Sequence, residues 1–350
     1  MPQSTSMANQ PFTPAWWLPG PHLQTMWGKL IRRTRLPLVT NERWPTEDGD
    51  EVSVTRLAPA SPTAPRVLFL HGLEGTAQSH YVRGFFTEAA ARGWGVDLLL
   101  FRTCDGRLNV AKRTYHSGET TDPAMVLRRV IEASSQAPVA LVGVSLGGNV
   151  LLRLLGDMTA AESNRLSAAV AISTPYDLAR SCSHLQRGTG RMYQWHFVRK
   201  LRRKALAKVA QHVGLAAPAA ISRARTLWEF DDAFTSVVHG YRDAADYYER
   251  CSSIHVLGQI RVPTLLLSAR DDPFHPPDVL DEVAARAARN PALTTEFLDA
   301  GGHVGFVSGS LFRPRYYAER RAAEFIAANL PHSSPIALTS DERAPHVQAG

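Results

Sequence analysis

Gly143-Val144-Ser145-Leu146-Gly147 sets one hydroxyl between two glycines. A serine hydroxyl attacks a carbonyl carbon only when a base takes its proton and a third group holds that base in place. The G-x-S-x-G spacing suits a sharp strand-to-helix turn. The serine there takes strained backbone, and a side chain at either glycine would strike the crossing chain. The hydroxyl then stands at a helix N-terminus, whose free N–H groups favour the negative charge of a tetrahedral intermediate. The alternative is a serine that does no more than cap the helix.

In this arrangement the acid and then the histidine follow the serine along the chain. "RDDPFHPP" (270–277) and "GGHVGF" (301–306) each come directly after an apolar run that reads as a strand. His303 is the expected base, because its glycine neighbours let the loop carry the imidazole close. Asp272 is the expected acid, since the proline after it stiffens the turn and Phe274 can anchor it in the core. Asp271 is the rival carboxylate, otherwise a loop cap or a partner for Arg270. His275 is a rival base but shares the acid's own loop. Two N–H groups must hold the oxyanion. One is expected from Leu146, next to the nucleophile, and the other from Leu73 in "HGLEG" (71–75), where Gly72 and Gly75 allow a close approach. His71 ends a strand and is expected to fix that loop by hydrogen bonding.

Strands and helices alternate around these loops. "RVLFL" (66–70) reads as a buried strand, and "VDLLLF" (96–101), "VALVGV" (139–144), "LSAAVAIS" (166–173), "PTLLLSA" (263–269) and "TTEFLDA" (294–300) as further short strands. Helices are expected over 77–93, 122–134, 147–158, 277–289 and 316–330. Asp-Gly within 41–57 marks a hairpin. The pattern argues for an α/β fold: a mostly parallel sheet with helices on both faces. Residues 175–260 are helix-rich, basic and aromatic with no clear strand, so they are expected to cap the C-terminal ends of the strands. One domain is expected over 12–330, with a flexible start over 1–11 and a disordered tail over 331–350. The aromatic segment 12–33 should wrap over the body.

Several marks together resemble the α/β-hydrolase superfamily, in particular its YheT-like branch (AB hydrolase family 4), over about residues 12–330. They are "PHLQT" (21–25), "HGLEG" (71–75), "FRTCDG" (101–106), "YHSGETTD" (115–122), "GVSLGGN" (143–149), "EFDDAFT" (229–235), "GYRDAADYYERCSS" (240–253) and "DDPFHP" (271–276). The resemblance implies the triad Ser145, Asp272 and His303. It also implies a carboxylic-ester hydrolase acting on short- to medium-chain acyl esters or acylglycerols, without metal or organic cofactor. Thr103 departs from the resemblance, which usually has glycine there. An acyltransferase or thioesterase could use the same triad, and a lipid-binding protein could keep the fold without turnover.

The remaining features bound the setting. The 350 residues carry a net charge of +7 and three scattered cysteines, which suggest neither a disulfide framework nor a zinc site. No apolar run approaches the ~18 residues of a membrane span, so a cytoplasmic protein is expected. No nucleic-acid motif is present. The run "RKLRRKALAK" (199–208) reads as a solvated cap face, with peripheral membrane contact as its alternative. Trp16, Trp17, Trp27, Trp195 and Phe197 either cover the core or line an acyl pocket. Asp231 and Asp232 read as helix caps or arginine partners, and His116 as a structural hydrogen-bonding residue.

Overall fold

The structure, a computed structural model, describes residues 12–134 and 137–331; the expectations for 1–11 and for the tail beyond 331 lie outside it. The strands are β1 (Thr40–Pro45), β2 (Glu51–Leu57), β3 (Arg66–Leu70), β4 (Gly95–Leu100), β5 (Val139–Val144), β6 (Leu166–Ile172), β7 (Thr264–Ala269) and β8 (Leu293–Leu298). They form one sheet in the order β1-β2-β4-β3-β5-β6-β7-β8. The β1–β2 hairpin and the β2–β4 pair are antiparallel, and every other neighbour is parallel. The hairpin turns through Asp48-Gly49, where Gly49 takes a φ of 76° that other residues resist.

Alternation along the strands sorts the core onto two faces. Leu68, Leu70, Leu99 and Leu141 face one way, against helices Thr121–Ala133, Leu146–Asp157 and Pro277–Ala287. Val67, Phe69, Leu98 and Val142 face the other, against His80–Ala91 and Tyr317–Ala328. Each such side chain, fully removed from water, contributes about 1.5–3 kcal/mol. Because β3, β5, β7 and β8 run parallel, the loops that follow them emerge along one edge. This brings residues 71–75, 145, 271–275 and 303 together.

Between β6 and β7 the chain leaves the sheet as a run of helices. The main ones are Leu178–Leu185, Gly190–Gln211 and Ala244–Cys251, and a π-helical turn spans Asp231–Thr235. The first helix, Pro21–Leu30, lies against the body near His80–Ala91.

A second, two-stranded sheet, β9 (Val307–Ser310) with β10 (Arg313–Tyr316), was not expected. Its strands are short and largely exposed, and show no apolar alternation. Its partner comes from far along the chain: the Ala15 N–H donates to the Val307 carbonyl at 2.9 Å, and Trp17 Nε1 to the Gly309 carbonyl at 2.9 Å. No described helix is long and apolar enough to cross a membrane.

Candidate active site

Ser145 sits between β5 and the helix Leu146–Asp157 with φ 55° and ψ −122°, a strained backbone for a residue with a side chain. The flanking glycines make this turn possible. A Cβ at Gly143 would run into the Gly147 carbonyl, and one at Gly147 into the carbonyls of Leu70 and His71. The Ser145 N–H donates to the Ile172 carbonyl at 2.8 Å, tying the turn to the next strand.

The three expected site residues meet. Ser145 Oγ lies 2.9 Å from His303 Nε2, and His303 Nδ1 lies 2.8 Å from Asp272 Oδ2. The other Asp272 oxygen accepts the Phe274 N–H at 2.8 Å. Asp272 is buried. Burial alone would raise its pKa, but His303 and His275 beside it outweigh that and hold the carboxyl well below its ordinary range. The Asp272–His303 contact fixes the imidazole with Nδ1–H toward the carboxylate and a free Nε2 lone pair toward the serine.

The rival residues go elsewhere. Asp271 Oδ1 accepts the Gly302 N–H at 2.8 Å and so caps the histidine loop, while Arg270 pairs with Asp281. His275 Nε2 comes within 3.3 Å of Asp272 Oδ2 but lacks the alignment of a hydrogen bond. Phe274 does not anchor in the core; its ring stacks on His303, with centroids 3.9 Å apart and planes at 7°. His71 accepts the Phe101 N–H on Nε2 at 3.1 Å and donates from Nδ1 to the Gly72 carbonyl at 2.7 Å.

The loop 71–75 presses close to the serine, and a Cβ on Gly72 would stand 3.1 Å from Ser145 Cβ. Its N–H groups divide their tasks. Gly72 N–H donates to Tyr81 Oη at 3.0 Å and Glu74 N–H to Tyr115 Oη at 3.1 Å. Among the described residues, the Leu73 and Leu146 N–H groups between and beside these donate to no protein acceptor. Glu74, at φ 58°, carries two further bonds: its Oε1 accepts Lys204 Nζ at 2.7 Å and Tyr115 Oη at 2.8 Å.

Residue reasoning alone did not find several supports. Thr25 Oγ1 accepts the His303 N–H at 2.9 Å, and Gln24 makes a paired bond with Val307 through N–H at 2.8 Å and carbonyl at 3.1 Å. "PHLQT" therefore braces the histidine loop across nearly the whole chain. The sequence signal was "PHLQT" itself, one of the marks of the resemblance, which gave no role to Gln24 or Thr25. Asn149 likewise ties the elbow helix to two loops, donating to the carbonyls of Ser117 and Cys251 at 2.8 Å and accepting the Ser253 N–H at 2.9 Å.

A cavity of about 630 Å³ opens at Ser145 and His303. Its walls are mainly apolar, with Leu178, Leu185, Leu201, Leu227 and Phe230 among them. Of the aromatic candidates, Trp195 and Phe197 line it; Trp16, Trp17 and Trp27 do not, and Trp17 packs edge-on against Trp27 instead. Asp232 caps a helix by accepting the Ala244 N–H at 3.1 Å, whereas Asp231 is no arginine partner and accepts Tyr248 Oη and Thr235 Oγ1, both at 2.6 Å. Loss of water raises the Asp231 pKa to about 6. His116 packs on His239 at 4.2 Å and accepts the Gly118 N–H at 3.1 Å. The run 199–208 is not one solvated face: Lys204 turns in to Glu74, and buried Lys208 turns in to the Asn109 carbonyl. No described cluster of histidine, cysteine and carboxylate side chains could hold a metal ion.

A family model described as the alpha/beta hydrolase fold matches residues 65–310. The chain is 37% identical over 319 residues to "Putative esterase YheT" of Escherichia coli (strain K12), covering 89% of this chain and 92% of that protein. It is 26% identical to "Phospholipase ABHD3" of Bos taurus over 94% of this chain and 81% of that one. It is also 26% identical to "Monoacylglycerol lipase" of Saccharomyces cerevisiae, over 73% of this chain and 57% of that protein. Among solved structures, the Pyrococcus furiosus esterase Pf2001 superposes with a TM-score of 0.54 at 17% identity, over 92% of this chain and 100% of that one, a likeness of fold alone. The matched profile, the parallel sheet and the extent of identity together make this chain a member of the α/β-hydrolase fold family, in its YheT-like branch.

Proposed function

We propose that this protein hydrolyses carboxylic esters, short- to medium-chain acyl esters or acylglycerols, through an acyl-enzyme on Ser145. One observation carries the reading: the unbroken chain from Ser145 Oγ through His303 to Asp272, with links of 2.9 and 2.8 Å, at a mainly apolar cavity that Ser145 and His303 line. The names of the relatives, an esterase, a phospholipase and a monoacylglycerol lipase, support the same class of bond.

In this reading Ser145 Oγ attacks the ester carbonyl carbon as His303 Nε2 takes its proton. Asp272 stabilises the imidazolium that results. The carbonyl oxygen, now an anion, receives the N–H groups of Leu73 and Leu146; losing one such donor raises the barrier by about 2.7–4 kcal/mol. His303 then gives its proton to the leaving alcohol. Water, deprotonated by the same imidazole, attacks the acyl-enzyme, and the acid is released with Ser145 restored. The cap helices keep bulk water from the acyl chain, which strengthens each of these electrostatic contacts.

Purified protein tested on a chain-length panel of nitrophenyl esters and acylglycerols, beside Ser145→Ala, checks the reading. Turnover by the unaltered protein, near-complete loss in the variant, and fluorophosphonate labelling only when Ser145 is present are the expected results. A variant that hydrolyses at the unaltered rate overturns the nucleophile; a protein that is never labelled and never turns over an ester overturns the class.

A further inference from the structure

The cavity is chemically lopsided. Its inner wall is built from buried apolar residues of the cap, among them Leu178, Leu185 and Phe230. Its outer rim runs between the first helix and the cap helix Gly190–Gln211, where Met192 and Trp195 are 61% and 60% exposed. Lys29 from the first helix, Lys200 from the cap helix and Arg83 from the helix His80–Ala91 all line this same cavity. His80 and His196 stand with them.

None of these three cations makes an ion pair among the described residues, whereas Arg32, Arg102 and Arg180 each do. Arg83 Nε is buried and has no hydrogen-bond partner. The carboxylates that line the cavity are both engaged: Glu74 by Lys204 and Tyr115, Asp231 by Tyr248 and Thr235. Partial loss of water and the charge of Lys200 lower the Lys29 pKa, as expected of two ammonium groups brought near each other. Like charges gathered without a counter-charge cost free energy, which an anionic ligand would relieve.

We infer that Lys29, Lys200 and Arg83 form a subsite for an anionic group, a phosphate or carboxylate on the part of the substrate that stays at the rim while its acyl chain enters the cap. The inference rests on the proposed esterase reading for the placement of the acyl chain. The anion site itself is open to a binding test that needs no turnover. A negatively charged amphiphile fits both ends of the cavity: its chain meets the apolar wall, and its charge meets the guanidinium and ammonium groups.

The test uses Ser145→Ala protein and two amphiphiles of one chain length, octyl phosphate and octyl glucoside, each as monomer, with binding read by calorimetry. Octyl phosphate should bind about tenfold or more tighter at low salt, the scale of one or two charge-assisted contacts. The preference should shrink as salt rises. It should collapse in Lys29→Gln/Lys200→Gln and persist in Lys29→Arg/Lys200→Arg, which keeps the charges and controls for folding. Equal binding of the two amphiphiles, or a preference that survives the glutamine pair, overturns the subsite. Vesicles of phosphatidylglycerol and phosphatidylcholine, tested alongside, separate a monomeric ligand from a bilayer. Lysine-dependent binding to the anionic vesicles without any preference for octyl phosphate also overturns it, and reassigns the lysines to a membrane surface. Failure of ester turnover in the chain-length panel would remove the esterase reading and leave this binding result intact.

Discussion

Phe274 lies flat on the imidazole of His303, ring over ring, two residues after the Asp272 that holds the same imidazole from its edge. One short loop therefore sets both the in-plane direction and the tilt of the ring. Face contact restrains a motion that a single hydrogen bond leaves free.

Phe274→Ala should reduce kcat about tenfold, because a stacked pair contributes about 0.5–1.5 kcal/mol and the ring gains freedom when it is lost. KM should change less. Phe274→Leu, which fills part of the space without stacking, should fall between. Steady-state kinetics beside thermal unfolding check this: unchanged kcat with a lowered melting temperature would make Phe274 a packing residue only.

Acid should destabilise this protein through its buried histidines. Loss of water lowers the pKa of His71 to about 4, of His80 to about 3 and of His239 to about 4, and drives that of His116 well below its ordinary value. A histidine whose folded pKa is depressed contributes stability above its unfolded pKa of ~6.5, and that stability drains away as pH falls through the folded value. The window is therefore from about pH 6.5 down to about 4. His71 has no exposed surface and by itself accounts for on the order of 3 kcal/mol across that window. Denaturant midpoints measured from neutral to acid pH should fall steeply, and less steeply in His71→Gln. Parallel slopes for the two proteins would refute the assignment.

Lys204→Met should slow turnover. Lys204 reaches from the cap helix to Glu74, which follows Leu73 in the loop expected to supply an oxyanion donor. Without it the Glu74 carboxylate keeps only the Tyr115 hydroxyl, and the cap loses its link to that loop. A several-fold loss in kcat is expected, with Glu74→Gln costing a similar amount and the pair costing little more than either, since coupled neighbours do not add. Additive losses in kcat would show that the two side chains act separately.

Thr103→Gly should stabilise the fold. Thr103 is buried with a φ of 69°, and a β-branched residue pays for left-handed backbone where glycine does not. A gain of about 1 kcal/mol is expected after the greater freedom of glycine in the unfolded chain is subtracted. The midpoint of urea unfolding reads this directly, and a loss of stability would mean that the Thr103 side chain holds its loop by contact.

How much could be read before folding was considered depends on the range of the interaction. Strands β3 to β7 were legible as short, nearly continuous apolar runs, buried along almost their whole length, and the flanking helices by their 3.6-residue period, both local properties; β8, at the sheet edge, is only partly buried. Boundaries moved where caps intervened: the helix expected from residue 77 begins at His80, after a turn in which Ser79 Oγ accepts the Thr76 N–H. The hairpin Val307–Tyr316 escaped because its pairing depends on Ala15, Trp17 and Gln24, nearly 300 residues away.

The residues of the site follow the same division. By itself, the sequence determined the elbow at Ser145 and the loops that carry Asp272 and His303, because glycine spacing and chain order after each strand are written locally. Only the tertiary structure decided that Asp272 faces the imidazole while Asp271 caps its loop, and that Thr25 and Gln24 brace that loop. It also decided that Lys204 turns inward while Lys29, Lys200 and Arg83 line one cavity. Neighbouring carboxylates and lysines have the same chemistry, and what separates them is the direction each side chain takes once distant elements have docked.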